Sequence, residues 1–229
     1  IENADCIENW YTITDNLADW SVKFDNLGDQ GLGQLLEEQW RGANQQFTRF
    51  IELNYENWLR SKERPLMSPD IISSYLQKNL QNDEKVVLIV MDCLRADHLK
   101  AMTNQLAQIF HIDLDYYLSI IPTATPYSRN AIFSGYFPNK LQKEYSEIWS
   151  DMWQDENSKN RFEYQFLRDH ITRLGFESKS IHYHKVITYE EGNKLENRIN
   201  EFKEVDFLAL VINFVDILGH SRSESKILK

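Results

Sequence analysis

A chain of 229 residues has room for one or two domains, and its 42% hydrophobic content with 13% aromatics is enough for a packed core and excludes a disordered chain. Its 35 acidic residues against 25 basic ones leave a net charge of −10. That excludes a sequence-independent nucleic-acid binder, which needs a basic footprint, but not a small nucleotide held through a metal ion, which would invert the local field. The two cysteines, Cys6 and Cys93, lie far apart in unlike contexts, so no disulfide framework is expected and a reducing compartment fits. No charged-then-apolar leader opens the chain, and no apolar run approaches the roughly 18–20 residues of a membrane span. The expectation is a soluble, cytoplasmic protein with no membrane insertion.

Residues 1–64 contain no strand-like run. Ile7, Trp10, Tyr11, Ile13, Leu17 and Trp20 recur at helical spacing. After a break at Asp25–Gly31, a second helical pattern runs from Leu32 through Trp40, Phe47, Phe50 and Ile51 to Trp58 and Leu59. Two helices cannot bury their apolar faces alone. Trp20, Trp40 and Trp58 must therefore cover a third helix, another domain or a second copy of the chain, either as ordinary interdomain packing or as a dimerisation or signal-relay bundle. Ser61–Asp70, with Pro65, Pro69 and mixed charge, reads as a linker. It separates a helical region, 1–64, from a second domain, 65–229. Ser68 is expected to cap a helix from Pro69 to Leu80, with the proline at its first position.

From there strands and helices alternate. The patterns predict strands at 86–91, 116–121, 179–184 and 206–215, and helices at 95–110, 128–134, 161–174 and 190–203. The fold class expected is α/β: an N-terminal helical segment followed by a partial doubly wound, mostly parallel sheet. Residues 139–160, rich in acids and carrying Trp149 and Trp153, read either as a lid or, preferably, as a solvated connection.

Three strand ends carry the candidate chemistry. Val86–Met91 is a six-residue apolar run that ends in Asp92, at the sheet edge where open α/β folds hold ligands. The alternative for a carboxylate there is a turn or cap, which suits Asp97 better. Arg95 pairs with either of them or faces solvent. Tyr116–Ile121 leads into Pro122-Thr123-Ala124-Thr125-Pro126-Tyr127-Ser128-Arg129, which places Thr125 at or near a helix N-cap among free N–H groups. That is a natural seat for a phosphate or a forming alkoxide, although Thr125 as a cap alone is the bland alternative. Arg129 either grips a phosphate oxygen or forms a helix-surface salt bridge. Phe207–Val215 ends in Asp216, and His220 follows four residues on, an oxygen–nitrogen pair of the kind zinc takes. Cys93 is either a ligand or, preferably, a small buried hydrophobe. His182 and His184 share one face of a strand, either as ligands or on a partly solvated face.

The order strand–Asp, Pro-Thr-x-Thr-Pro with a Gly-Tyr-Phe-Pro turn, then strand–Asp-x-x-x-His resembles the alkaline phosphatase superfamily, nearest its phosphodiesterase-like and PglZ branches. The wording Met91–Asp97 and Thr123–Arg129 looks like the PglZ domain, and with the helices ahead of it the chain resembles response regulators tied to the type IX secretion system. The resemblance implies two zinc ions at the sheet edge, one held by Asp92 and Thr125 and the other by Asp216 and His220. Thr125 is then the nucleophile of a phosphodiesterase acting on cyclic or short linear oligonucleotides. It also implies a sensor kinase acting through a receiver domain, a homodimer, and either catalysis or a scaffold role toward a secretion-system protein or a sigma factor. The family completes its site with an Asp-His-Gly and a later His that do not follow His220. The expectation is therefore a piece of a longer protein carrying about half of a two-zinc site.

Overall fold

The structure is a computed structural model that describes residues 4–154 and 159–221, the side chains of Leu218, His220 and Ser221 excepted. Ser221–Lys229, whose lysine-containing sequence reads as the start of a helix, therefore falls almost wholly outside the described residues. Two compact units form: Ile1–Pro65 with Leu94–Tyr116, and Leu66–Cys93 with Tyr117–Lys229.

In the first unit, α1 (Ile7–Leu27) runs one turn and more beyond the periodic pattern, with Trp20 stacked on Phe24 at 6.5 Å between centroids. Gly28 stops it at φ +66°, a left-handed C-cap that suits glycine. Asp29 caps α2 (Gln30–Arg60) by accepting the Gly31 and Leu32 N–H groups at 2.8 and 3.1 Å. Trp10 is buried against Phe47 and Phe50. The third helix that two amphipathic helices require is α4 (Ala96–Leu106), which packs on α1. Lys100 of α4 reaches Asp15 at 2.8 Å and Asp19 at 2.7 Å, and the Tyr116 hydroxyl donates to Asp15 at 2.7 Å. Burial and the Asp15 hydrogen bond push that phenol well above its ordinary range. Among the described residues, no helix is long and apolar enough to cross a membrane.

The second unit is built on three parallel strands, β1 (Val86–Met91), β2 (Ile181–Val186) and β3 (Phe207–Ile212), in the order β1-β3-β2. The central β3 is apolar without alternation because both of its faces are covered. On one face Phe207, Ala209 and Val211 join Phe133, Leu141, Met152, Phe166, Leu167 and Ile171 in the core. Each fully buried Leu, Ile or Phe there contributes roughly 1.5–3 kcal/mol. The other face carries Leu208 and Leu210, buried, between the exposed Val87 and Ile89 of β1 and the half-buried His182 and His184 of β2.

Tyr116–Ile121 is not a strand of this sheet. Its Leu118 N–H donates to Leu66 O at 2.8 Å, Ile120 N–H donates to Ser68 Oγ at 3.2 Å, and Met67 and Leu118 make a single bridge. Its alternation encodes burial of Leu118 and Ile120 against the linker, not pairing in the sheet. Ser68 serves that contact and caps nothing. The following helix is broken into a tight turn (Ser68–Asp70), a wide turn (Ile72–Leu76) and α3 (Gln77–Gln81). Met67 holds the N-cap position, and Asp70, three residues on, accepts the Met67 N–H at 2.8 Å. Residues 139–160 are not a solvated connection either. The described part folds into α6 (Pro138–Glu144) and α7 (Ser146–Met152), and Leu141 and Met152 enter the core. The remaining helices are α5 (Thr125–Ser134), α8 (Glu163–Arg173), α9 (Tyr189–Arg198) and α10 (Phe214–Ser221).

Candidate active site

The carboxyl ends of β1 and β3 lie side by side, since the Asp92 N–H donates to Ile212 O at 3.0 Å. The strand expected over 206–215 ends at Ile212, so Asp216 stands not at a strand end but in the first turn of α10, which follows β3 at the same edge as Asp92. Cys93 sits between them at φ +61°, a left-handed conformation that a residue with a Cβ seldom adopts. Its exposed thiol donates to Asp216 Oδ1 at 3.0 Å, so it is not a buried hydrophobe. That hydrogen bond, with burial and the carboxylate charge around it, pushes the thiol up to about 11, which keeps it protonated.

Thr125 arrives from the non-strand segment and α5, not from a third strand end. It is the first residue of α5 with Pro126 behind it, and Ala124 occupies the cap position. Its hydroxyl therefore caps nothing and donates instead to Asp92 Oδ2 at 3.5 Å, a long contact. Arg129 lies one turn further along α5 and is buried, neither on the helix surface nor free. Its Nη1 donates to the same Asp92 Oδ2 and to Asn213 Oδ1, both at 2.9 Å, and its Nε donates to Glu163 Oε1 at 2.5 Å. Glu163, at the start of α8, accepts also from Asn160 Nδ2 at 2.9 Å and from the Tyr183 hydroxyl at 2.6 Å. Burial and the Glu163 charge drive the Tyr183 phenol far above its ordinary range, so it stays a donor. Asn160 also touches Thr125 O at 3.4 Å.

Glu163, Tyr183, Asn160 and Asn213 carry no sequence signature of their own. They converge from α8, β2, a loop and the end of β3, which only the tertiary structure joins. Alternation along β2 gave the one available hint, because Tyr183 and Lys185 share the face that meets Arg129 while His182 and His184 take the other. The two histidine rings stack at 6.4 Å, and His182 lies against Phe202 at 4.4 Å, away from the site. Lys185 is half-buried, and burial pulls its ammonium pKa down. It feels Glu163, Arg129 and Asp92, yet it makes no ion pair among the described residues. Asp97 and Arg95 belong to the first unit, where Arg95 Nε donates to Asp97 Oδ1 at 3.0 Å, and His98 N–H donates to the same oxygen at 3.0 Å.

Asp92, Thr125 and Asp216 carry oxygen donors of the type that divalent cations take. Among the described residues no group of three or more His, Cys, Asp or Glu stands close enough to hold an ion. The side chain of His220, the fourth expected ligand, lies outside the described residues.

Residues 72–229 match the BREX system PglZ alkaline phosphatase-like domain, and residues 1–59 match the PorX response regulator linker domain. None of the curated proteins matches the chain.

Proposed function

Because the chain belongs to the PglZ alkaline phosphatase-like family, with a PorX response regulator linker domain ahead of that domain, we propose that it is the effector part of a response regulator and a metal-dependent phosphodiesterase. The observation that carries this reading is the Thr125 hydroxyl, which caps no helix and faces Asp92 at the carboxyl edge of the sheet. Asp92 and Thr125, and Asp216 with His220, are the residues that would hold zinc. A bound divalent ion lowers the pKa of a coordinated hydroxyl and neutralises charge on a leaving oxygen.

The chain's own groups supply the rest. Asp92 orients the Thr125 oxygen by accepting its hydrogen bond. Thr125 Oγ1 bonds to phosphorus as the bond to the leaving sugar oxygen breaks, its proton passing to that oxygen, and water then cleaves the phosphorus–threonine bond, releasing the phosphomonoester and returning a proton to Thr125. Arg129 is engaged by the protein, so Lys185, which makes no ion pair among the described residues and feels Asp92, is the cation we assign to attract an anionic substrate. The substrate class is a cyclic or short linear oligonucleotide, compatible with a net charge of −10 only if charge is neutralised locally. The linker match supports a two-component context, and on this reading the protein works in the cytoplasm, with a sensor kinase upstream and a homodimer formed through its helices.

The test is zinc-dependent hydrolysis of bis(p-nitrophenyl) phosphate by the intact protein, with Thr125→Val beside it. Activity lost in a variant that still binds zinc supports the threonine nucleophile. An intact protein that binds zinc and performs no better than the variant sinks the enzyme and leaves a scaffold for a secretion-system protein or a sigma factor.

A further inference from the structure

We propose that Arg129 and Glu163 are a buried positioning pair that fixes the Asp92 carboxylate, and through it the Thr125 hydroxyl; the inference rests on the phosphodiesterase reading above. The two side chains are 4% and 1% exposed, while Asp92 is 16% exposed and lies at the sheet edge. Burying an ion pair is a poor way to gain stability, since well-packed apolar residues of similar volume often do as well or better. What this pair provides is direction.

The guanidinium is planar, and three of its hydrogen bonds are tied to three different elements. Nε is held by Glu163 on α8, and Nη1 by Asp92 after β1 and Asn213 after β3. Glu163 is held in turn by Tyr183 on β2 and by Asn160. The plane of Arg129 is thereby set by residues far apart in sequence, on α8 and just past the ends of β1 and β3, and the fork presents one N–H to Asp92 Oδ2. That same oxygen accepts from Thr125. Asn160 closes the loop, because it touches both Glu163 Oε1 and the backbone carbonyl of Thr125. An ammonium in place of the guanidinium keeps the charge but loses the fork. Groups that orient a ligand carboxylate are worth on the order of 10–100-fold in metal affinity or activity.

The experiment uses the intact protein with Arg129→Lys and the isosteric Glu163→Gln. Zinc affinity is measured by competition with a chromophoric chelator, kcat and KM on bis(p-nitrophenyl) phosphate, and folding by thermal melts. The expected result is folded variants with zinc affinity and kcat each down about tenfold or more and KM within about threefold of the parent. A rise in KM at unchanged kcat would mean that Arg129 touches substrate directly, and would overturn the proposal. So would wild-type zinc affinity and kcat in both variants, or the failure of both to fold, which would make the pair structural. If the parent binds zinc without hydrolysing the diester, the phosphodiesterase reading falls alone and zinc affinity still decides the positioning role. If the parent neither binds zinc nor hydrolyses, both fall.

Discussion

His170 offers a direct test of the packing that supports α5, the helix that carries Thr125 and Arg129. The ring is buried under the turn that ends α5, and its Nδ1 donates to Phe133 O at 3.2 Å. Its other edge faces Gly135, where an added Cβ would lie 2.4 Å from Nε2. Burial, reinforced by the Arg173 charge, depresses its pKa from 6.5 to about 4. That difference is about 3 kcal/mol of preference for the neutral ring. Because the folded pKa lies below the unfolded one, the unfolded chain binds the extra proton between them. Stability contributed by the neutral ring is therefore complete above pH 6.5 and is lost as pH falls toward 4, at no more than about 1.4 kcal/mol per pH unit. Urea unfolding of the wild type and His170→Gln from pH 7.5 to pH 4 isolates the effect. The glutamine amide keeps a donor for Phe133 O but does not titrate, and the difference between the two curves cancels the other groups. The wild type should lose about 3 kcal/mol relative to the variant across that window. A flat difference curve, or a wild type that gains on acidification, would refute the burial argument.

Three other outcomes follow from the same packing and site. Gly135→Ala should cost about 2–4 kcal/mol, combining a side chain at φ +66° with displacement of the His170 ring, as read from the urea midpoint. Met152→Ala should cost about 2–5 kcal/mol, because the residue is fully buried in the core; a cost within about 0.5 kcal/mol, as at a surface site, would restore the solvated connection. Lys185→Met should raise KM for the phosphodiester about tenfold with a smaller effect on kcat, in line with the loss of one charge-assisted hydrogen bond to an anion. Unchanged KM would remove Lys185 from the substrate's reach.

How far the site was legible depended on whether each residue's role is local. Asp92 can be placed at the end of a strand because an apolar run followed by a carboxylate is a signal within a few residues, whereas the same signal misplaces Asp216, which lies in the first turn of α10 beyond the end of β3. Two adjacent parallel strands then bring those ends together, as the hydrogen bond from Asp92 N–H to Ile212 O does. Thr125 was found for its hydroxyl beside Pro126, but the pattern did not distinguish a cap at that point from a side chain aimed at Asp92 33 positions away in sequence. Arg129 is visible in the sequence as a helix arginine, and its surroundings are not. A helix-surface arginine and one buried among Asp92, Asn213 and Glu163 look alike until the partners, drawn from far along the chain, are assembled.

The fold divides the same way. Periodicity by itself fixed the two long helices, the β1 run, the first part of the 206–215 run, whose end opens α10 instead, and the parallel α/β class, because the spacing of apolar residues reports which faces are covered. It did not report by what. Tyr116–Ile121 alternates like a strand, yet it buries Leu118 and Ile120 against Leu66–Ser68 outside the sheet. Residues 138–152 look polar, yet they place Leu141 and Met152 in the core. The helix after β1 packs on α1 instead of closing a simple strand–helix–strand layer. The apolar pattern records how much surface a segment must hide, whereas the partner that hides it is selected by contacts between residues distant in sequence, and those exist only once the chain has folded.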